Sequence, residues 1–237
     1  MRLHSVDVRS CLQYTLMEVD LGFAEELRQS CKADWDACVQ HRFVHELFDG
    51  TVDDTVLRRY LVQDYQFINR FVALLGAAIA SADQFGPRVR LSQFAAMITS
   101  DENTYFLRSF DALGVPEADH INPVLTRPTQ AFQALMQQAA QSQKYANCMA
   151  VLAVAEGLYL DWADQPEKRN APLPERFEHA EWITLHANDF FRGFVAWLRS
   201  ELDRIGSLLS ETEAQEAREY FQQAVVLERQ FFDHVYS

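Results

Sequence analysis

The sequence predicts an all-α protein, one domain built from about seven helical segments. Apolar residues recur at spacings of three and four over nearly the whole chain, the interval that lines one face of a helix. The eight glycines and seven prolines fall mostly in short joints between these periodic runs. No stretch shows the every-second-residue alternation of a half-buried strand, and there is no internal repeat.

Residues 1–20 read as a weakly patterned lead-in, with the helical domain over 21–237. Periodicity begins near Gly22 and runs to Phe48, where Asp49-Gly50-Thr51 stops it; Gly50 fits a C-terminal cap because glycine accepts the left-handed conformation. Asp53 or Asp54 can cap a second helix that runs through Tyr60 and Phe67 to about Ala82. Gln84-Phe85-Gly86-Pro87 is the next joint, and a third helix from about Arg88 to Leu113 stops at Gly114-Val115-Pro116. Glu117 to Arg127 reads as a loop. Pro128 and Thr129 open a fourth helix ending near Ser142, and a fifth spans about Tyr145 to Asp164. Pro166, Pro172 and Pro174 make Gln165 to Pro174 a loop. A sixth segment runs from about Arg176 to Ile205, with Ala187-Asn188-Asp189 as its candidate break. Ser210 and Glu213 have capping-box spacing and start a last helix that reaches Val235.

Three carboxylates sit inside otherwise apolar stripes. Asp64 falls within Leu57, Tyr60, Leu61, Phe67, Ile68 and Phe71; Glu156 within Leu152, Tyr159, Leu160 and Ala163; Glu228 within Phe221, Ala224, Val225, Phe231 and Phe232. A buried unpaired carboxylate is costly, so each is either satisfied by a structural partner or used chemically. Arg59 or Arg70 is the candidate structural partner of Asp64, and Arg229 that of Glu228. Together the three acids and their aromatic neighbours suggest a polar pocket inside a helical bundle.

Composition narrows the function by exclusion. The chain has 237 residues, 49% of them hydrophobic, enough for one large globular core. Its net charge of −13 and pI near 4.9 argue against nucleic-acid or anionic-membrane partners. No run approaches a membrane span or a signal-peptide core, so a cytoplasmic location is expected. Cys11, Cys31, Cys38 and Cys148 form no CxxC pair and are expected to be free thiols. Zinc-type spacing, a phosphate-binding glycine loop, GxSxG and HExxH are all absent.

Asp49-Gly50-Thr51, followed by Arg59-Tyr60-Leu61-Val62-Gln63-Asp64-Tyr65, resembles the TenA/thiaminase II family. Ala155-Glu156-Gly157-Leu158-Tyr159-Leu160-Asp161-Trp162 is similar to that family's central helix, and Leu227-Glu228-Arg229-Gln230-Phe231-Phe232 to its C-terminal helix. The order and separation of the three blocks match, and the resemblance covers roughly Ala24 to Tyr236. It implies a heme-oxygenase-like helical bundle that normally binds no heme, with no cofactor or metal. It also implies a homo-oligomer, dimer or tetramer, acting on a small pyrimidine in thiamin salvage.

In the family's cysteine branch a thiol attacks the pyrimidine ring, the aspartate of the QDY block holds the aminopyrimidine edge and the C-terminal glutamate handles protons. The place of that thiol falls here at or beside Ala155-Glu156. Cys148 lies two helical turns earlier, about 10 Å along a helix, too far to substitute in place. The chain therefore resembles the glutamate branch, which implies hydrolysis of 4-amino-5-aminomethyl-2-methylpyrimidine or its N-formyl form. On this reading Asp64 takes the amidine-like edge, Glu156 attacks or activates water, and Glu228 gives a proton to the leaving amine. Phe67 and Phe231, each one turn beyond a carboxylate, are candidates to sandwich the ring, and Tyr159 is a candidate hydrogen-bond donor. A tyrosine usual in the sixth helix falls at His186, and the aromatics expected after Pro128-Thr129 are reduced to Phe132. Two readings compete. One is a non-heme di-iron oxidase using Glu102, Glu156, His179, His186 and Asp189, with heme binding through His41 or His45 as a weaker variant. The other is a non-catalytic pyrimidine binder.

Overall fold

The computed structural model describes residues 21–169 and 171–237. The predicted lead-in over 1–20, with Cys11, lies outside the described residues. Thirteen α-helices and one π turn make up the rest, with no strand among the described residues. They are α1 (Phe23–Ser30), α2 (Lys32–Val39), α3 (Arg42–Phe48), α4 (Asp54–Tyr65), α5 (Phe67–Ser81), α6 (Phe85–Met97), the π turn (Ile98–Glu102), α7 (Asn103–Leu113), α8 (Glu117–Ile121), α9 (Arg127–Gln141), α10 (Tyr145–Ala163), α11 (Phe177–Leu185), α12 (Asp189–Gly206) and α13 (Glu211–His234).

Each of the seven predicted segments is helical, and the larger helix count comes from breaks within them. The first segment divides at Cys31 and again at Gln40-His41, where the His41 Nδ1 accepts from the Phe43 N–H at 3.1 Å and caps α3. The second divides at Gln66. There the Gln66 carbonyl is satisfied by Gln133 Nε2 at 2.7 Å, and the Gln66 side chain donates to the His120 carbonyl at 2.7 Å. The sixth divides at His186–Asn188, and Asn188 Oδ1 accepts from the Phe191 N–H to start α12. The predicted loop over 117–127 contains the short helix α8.

The predicted stops hold for local reasons. After α3, Gly50 has φ +67°, with Thr51 N–H bonded to the Glu46 carbonyl and Gly50 N–H to that of Leu47. After α7, Gly114 has φ +65° with the same pair of bonds, from Val115 to Phe110 and from Gly114 to Asp111. Both are glycine-closed helix ends that a side chain at that φ would strain. Ser210 and Glu213 form the predicted capping box on α13.

The helix α10 is apolar on every side and runs through the centre of the bundle. It packs on α13, α12, α5, α9 and α2. Aromatic rings fill much of the space around it, including Trp162, Trp182, Tyr60 and Phe132. No helix among the described residues is long and apolar enough to cross a membrane.

The α1–α12 contact leaves no room at Gly206: a Cβ there would lie 2.6 Å from the Phe23 Cβ. Phe23 cannot swing its own Cβ away, so Gly206→Ala must push α1 outward. It is expected to destabilise the protein by about 1–3 kcal/mol in urea unfolding. An unchanged midpoint would mean that α1 is not held against α12.

Candidate active site

Helix phase brings the acids of four separate segments to one cavity. Asp64 comes from the last turn of α4, Glu102 from the end of the π turn, Glu156 from the middle of α10 and Glu228 from α13; all four line the same space. The cavity is narrow, with about 60 Å³ of free space inside it and about 510 Å³ when the gaps between side chains and the solvent at its opening are included. Its walls are apolar, from Phe67, Ile68, Phe71, Ile98, Phe132 and Met136 among others. Among the described residues no lysine or arginine lines it.

The structural pairings open to these acids are not made. Arg59 donates instead to the Val235 and Ser237 carbonyls, at 2.8 and 2.5 Å, Arg229 pairs with Asp34, and Arg70 is exposed. The acids remain without a counter-cation, and burial is the main cause acting on each. It raises Asp64 to about 7 and, with the Asp64 charge adding to it, Glu102 to about 8. Glu156 and Glu228 are pushed well above the usual carboxylate range by burial and then by neighbouring carboxylates, which favours the protonated form of both. Glu228 is 2% exposed, and its Oε2 has no hydrogen-bond partner among the described residues.

Asp64 alone of the four is held by a donor chain. Tyr159 donates its hydroxyl proton to Asp64 Oδ1 at 3.1 Å. The Tyr159 oxygen is then free to accept from Tyr60, 2.9 Å away, and the Tyr60 oxygen accepts from the Trp182 indole N–H at 3.3 Å. All three dipoles point the same way and favour the ionised form of Asp64 over that of its neighbours. His186 packs against Tyr159 and Trp182, and its Nδ1 bonds to the Trp182 carbonyl at 2.8 Å. A carbonyl only accepts, so Nδ1 carries the proton. Burial lowers His186 to about 4, which leaves a neutral ring at pH 7 with an acceptor nitrogen at Nε2.

Of the seven residues singled out in the sequence, Asp64, Glu156, Glu228, Phe67, Tyr159 and His186 line the cavity. Phe231 does not: its ring lies 5.2 Å from that of Phe67 at 64°, edge against face, and it packs behind Phe67 on Tyr60. No flat ring fits between the two phenylalanines, so Phe231 buttresses Phe67. Tyr60, a member of the Asp64 stripe, and Trp182, which the sequence reading did not single out, belong to the Asp64 donor chain. Tyr105 spends its hydroxyl on the Glu178 carbonyl. Cys148 donates to the Ala139 carbonyl, away from the cavity, and burial pushes its thiol up to about 12, so it is a poor nucleophile.

The di-iron set does not converge. His179 opens onto a separate cavity beside Gly50, and Asp189 is solvent-exposed and paired with Arg192. No group of three or more His, Cys, Asp and Glu side chains among the described residues has a metal-binding arrangement. Glu102 is the one acid of that set whose presence in the cavity enlarges the site. The signal that finds the other three also finds it, since it continues the stripe Phe94, Ile98, Phe106, Phe110.

Comparison with known proteins gives the family and the fold. The sequence profile of the TENA/THI-4/PQQC family matches residues 28–237. The chain belongs to that family. It is 23% identical over 222 residues to the aminopyrimidine aminohydrolase of Halalkalibacterium halodurans, covering 92% of this chain and 96% of that protein. A TenA homologue from Pyrococcus furiosus superposes with a TM-score of 0.80 at 21% identity, over 90% of this chain and all of that one. A Shewanella denitrificans domain with a heme oxygenase-like fold gives 0.67 at 15% identity, over 90% and 91% of the two chains. The TenA family member described here therefore has the heme oxygenase-like bundle.

The raised carboxyls make stability depend on pH with a defined sign. Asp64 holds its proton to about 7 when folded and releases it near the ordinary 3.8 when unfolded. Between those values the folded state binds more protons, so raising the pH costs stability. His41, His179 and His186, all lowered by burial, act in the opposite direction as pH rises toward 6.5. The difference between wild type and Asp64→Asn isolates the acid: the melting temperature of wild type is expected to fall relative to the variant from about pH 4 to about pH 8. A constant difference would mean that Asp64 ionises normally in the fold.

Proposed function

We propose that the cavity is the active site of an aminopyrimidine hydrolase of thiamin salvage. Family membership and the name of the Halalkalibacterium relative support the substrate class. One structural observation carries the chemistry: Asp64, favoured as an anion by three aligned donors, faces Glu156 and Glu228, which are kept protonated in the same apolar cavity. Carboxyls pushed to different protonation states can divide the work of acid and base.

The reaction replaces the amine of 4-amino-5-aminomethyl-2-methylpyrimidine by hydroxide. The methylene C–N bond breaks, a C–O bond to water forms, and ammonia leaves. Asp64 accepts from the exocyclic ring amine and orients the amidine-like edge, with Tyr159 fixing its carboxylate. Phe67 and Tyr159 hold the flat ring, which keeps bulk water from competing for these polar contacts. Glu228, whose Oε2 has no partner among the described residues, keeps the departing amine protonated, so that the nitrogen leaves as ammonium. Glu156 lies on the central helix and takes the proton of the attacking water once substrate binding lowers its affinity for its own proton; in the alternative, Glu156 bonds to the ring as the methylene C–N bond breaks, and water then adds at the methylene carbon as Glu156 leaves. The neutral His186 offers Nε2 as an acceptor for a substrate N–H. Among the described residues no thiol lines the cavity for cysteine-type cleavage.

Ammonia release from this pyrimidine is the direct test. Glu156→Gln and Glu228→Gln are each expected to lower kcat by about 100-fold or more, while substrate affinity in Glu156→Gln stays within about threefold. Asp64→Asn is expected to weaken binding by about tenfold or more, since it loses a charge-assisted hydrogen bond. Wild-type protein that binds the pyrimidine and releases no ammonia would make it a binder and not a hydrolase.

A further inference from the structure

The cavity holds one acid more than the proposed chemistry uses. Glu102 is half-buried, whereas Asp64, Glu156 and Glu228 are 8%, 7% and 2% exposed. As a residue it is the most exposed of the four. It is delivered by the π turn, a wider helical turn that re-aims a side chain and often marks a functional position. The Tyr65 hydroxyl bonds Asn103 Oδ1 at 3.2 Å and pins the residue that follows it. Neither a cation nor a hydrogen bond holds its own carboxyl among the described residues; burial and the charge of Asp64 are what act on it.

Among the described residues, four carboxyls share this space with no lysine or arginine, and the one imidazole is neutral. Glu228 Oε2, almost fully buried, meets no donor or cation there either. The walls carry Phe67, Phe132, Tyr159 and Trp182, whose ring faces also attract cations. Aromatic walls and the lack of any metal-type arrangement of ligands favour an organic cation over a metal ion.

We propose that this pocket selects its substrate as a cation, and that Glu102 is the specificity residue that holds the ammonium of a primary amine carried on a flat heteroaromatic ring. The inference rests on the aminopyrimidine reading and names which form of that substrate is preferred. An alkyl amine is protonated at neutral pH, with an ordinary pKa near ~10. The hydroxymethyl product and an N-formylated amine are neutral at the same position. Glu102 therefore favours the free amine over both, and it lets the product go once the charge has left as ammonium.

Titration calorimetry tests this with the aminomethyl pyrimidine and its hydroxymethyl counterpart, carried out in the turnover-deficient Glu156→Gln background for the otherwise wild-type chain and for Glu102→Gln and Glu102→Asp. Wild type is expected to prefer the amine by about tenfold or more, and Glu102→Gln to reduce that preference below about threefold chiefly by weakening amine binding. Glu102→Asp, which keeps the charge, is expected to retain part of it. The wild-type preference is expected to grow as pH rises through about 8, where Glu102 ionises, and to be flat in Glu102→Gln. Equal preference in wild type and Glu102→Gln overturns the proposal and leaves the hydrolase reading intact. Failure of wild type to bind either pyrimidine overturns both. Tight binding of Mn²⁺ alone, lost in Glu102→Gln, assigns the charge to a metal and overturns the ammonium.

Discussion

Buried carboxyls without a counter-cation are the constraint on which the rest of the structure depends. A single ionised carboxylate in such a place costs several kcal/mol after relaxation, so the group keeps its proton instead. Among the described residues the cavity holds four such acids, and they differ in support. Asp64 has three aligned donors behind it, Glu102 is the most exposed as a residue, and Glu156 and Glu228 are both buried among neighbouring carboxyls. Protonation state follows from that order of support. The same order separates a group that recognises a substrate as an anion from groups that deliver or remove protons.

The helices supply this arrangement through their irregularities. The break at Gln66 ends α4 just after Asp64 and restarts the chain as α5 with Phe67 facing the same cavity. Its unpaired carbonyl is answered by Gln133, and Gln63 ties the loop before α9 through Val124 and Thr126. The π turn delivers Glu102, and the interruption before Asn188 leaves His186 at the end of α11 with its ring over Tyr159. Regular helices build the core, and the departures from regularity build the site.

Much of this is legible in the sequence because burial and helical period act together. A carboxylate at a spacing of three or four within Leu, Phe and Tyr has to face the core, which locates Asp64, Glu156 and Glu228 without further information. Glycine-closed ends at Gly50 and Gly114 and the capping box at Ser210 are likewise local signals. The breaks at Cys31, Gln40 and Gln66 carry no glycine or proline. At Gln66 and beside Gln40 the chain is answered by residues far along it, Gln133 to the Gln66 carbonyl and Gln165 to that of Val39, and local propensity does not record these. Phe231 is displaced for a related reason. Three residues on from Glu228 is close to, yet not on, the same line along a helix, and neighbouring aromatics decide which way the ring turns. Glu102 carries the same stripe signal as the other acids, diluted by the polar run Thr99-Ser100-Asp101 beside it.

The central claim is that an apolar cavity holds carboxyls protonated at neutral pH and sets them to different tasks. Infrared spectroscopy reads it directly, because a protonated carboxyl gives a C=O stretch distinct from the carboxylate bands. At pH 7 the ligand-free protein is expected to show that stretch, diminished in Glu156→Gln and Glu228→Gln and shifted when the aminopyrimidine binds. A spectrum with carboxylate bands only, unchanged by either substitution, would contradict the claim.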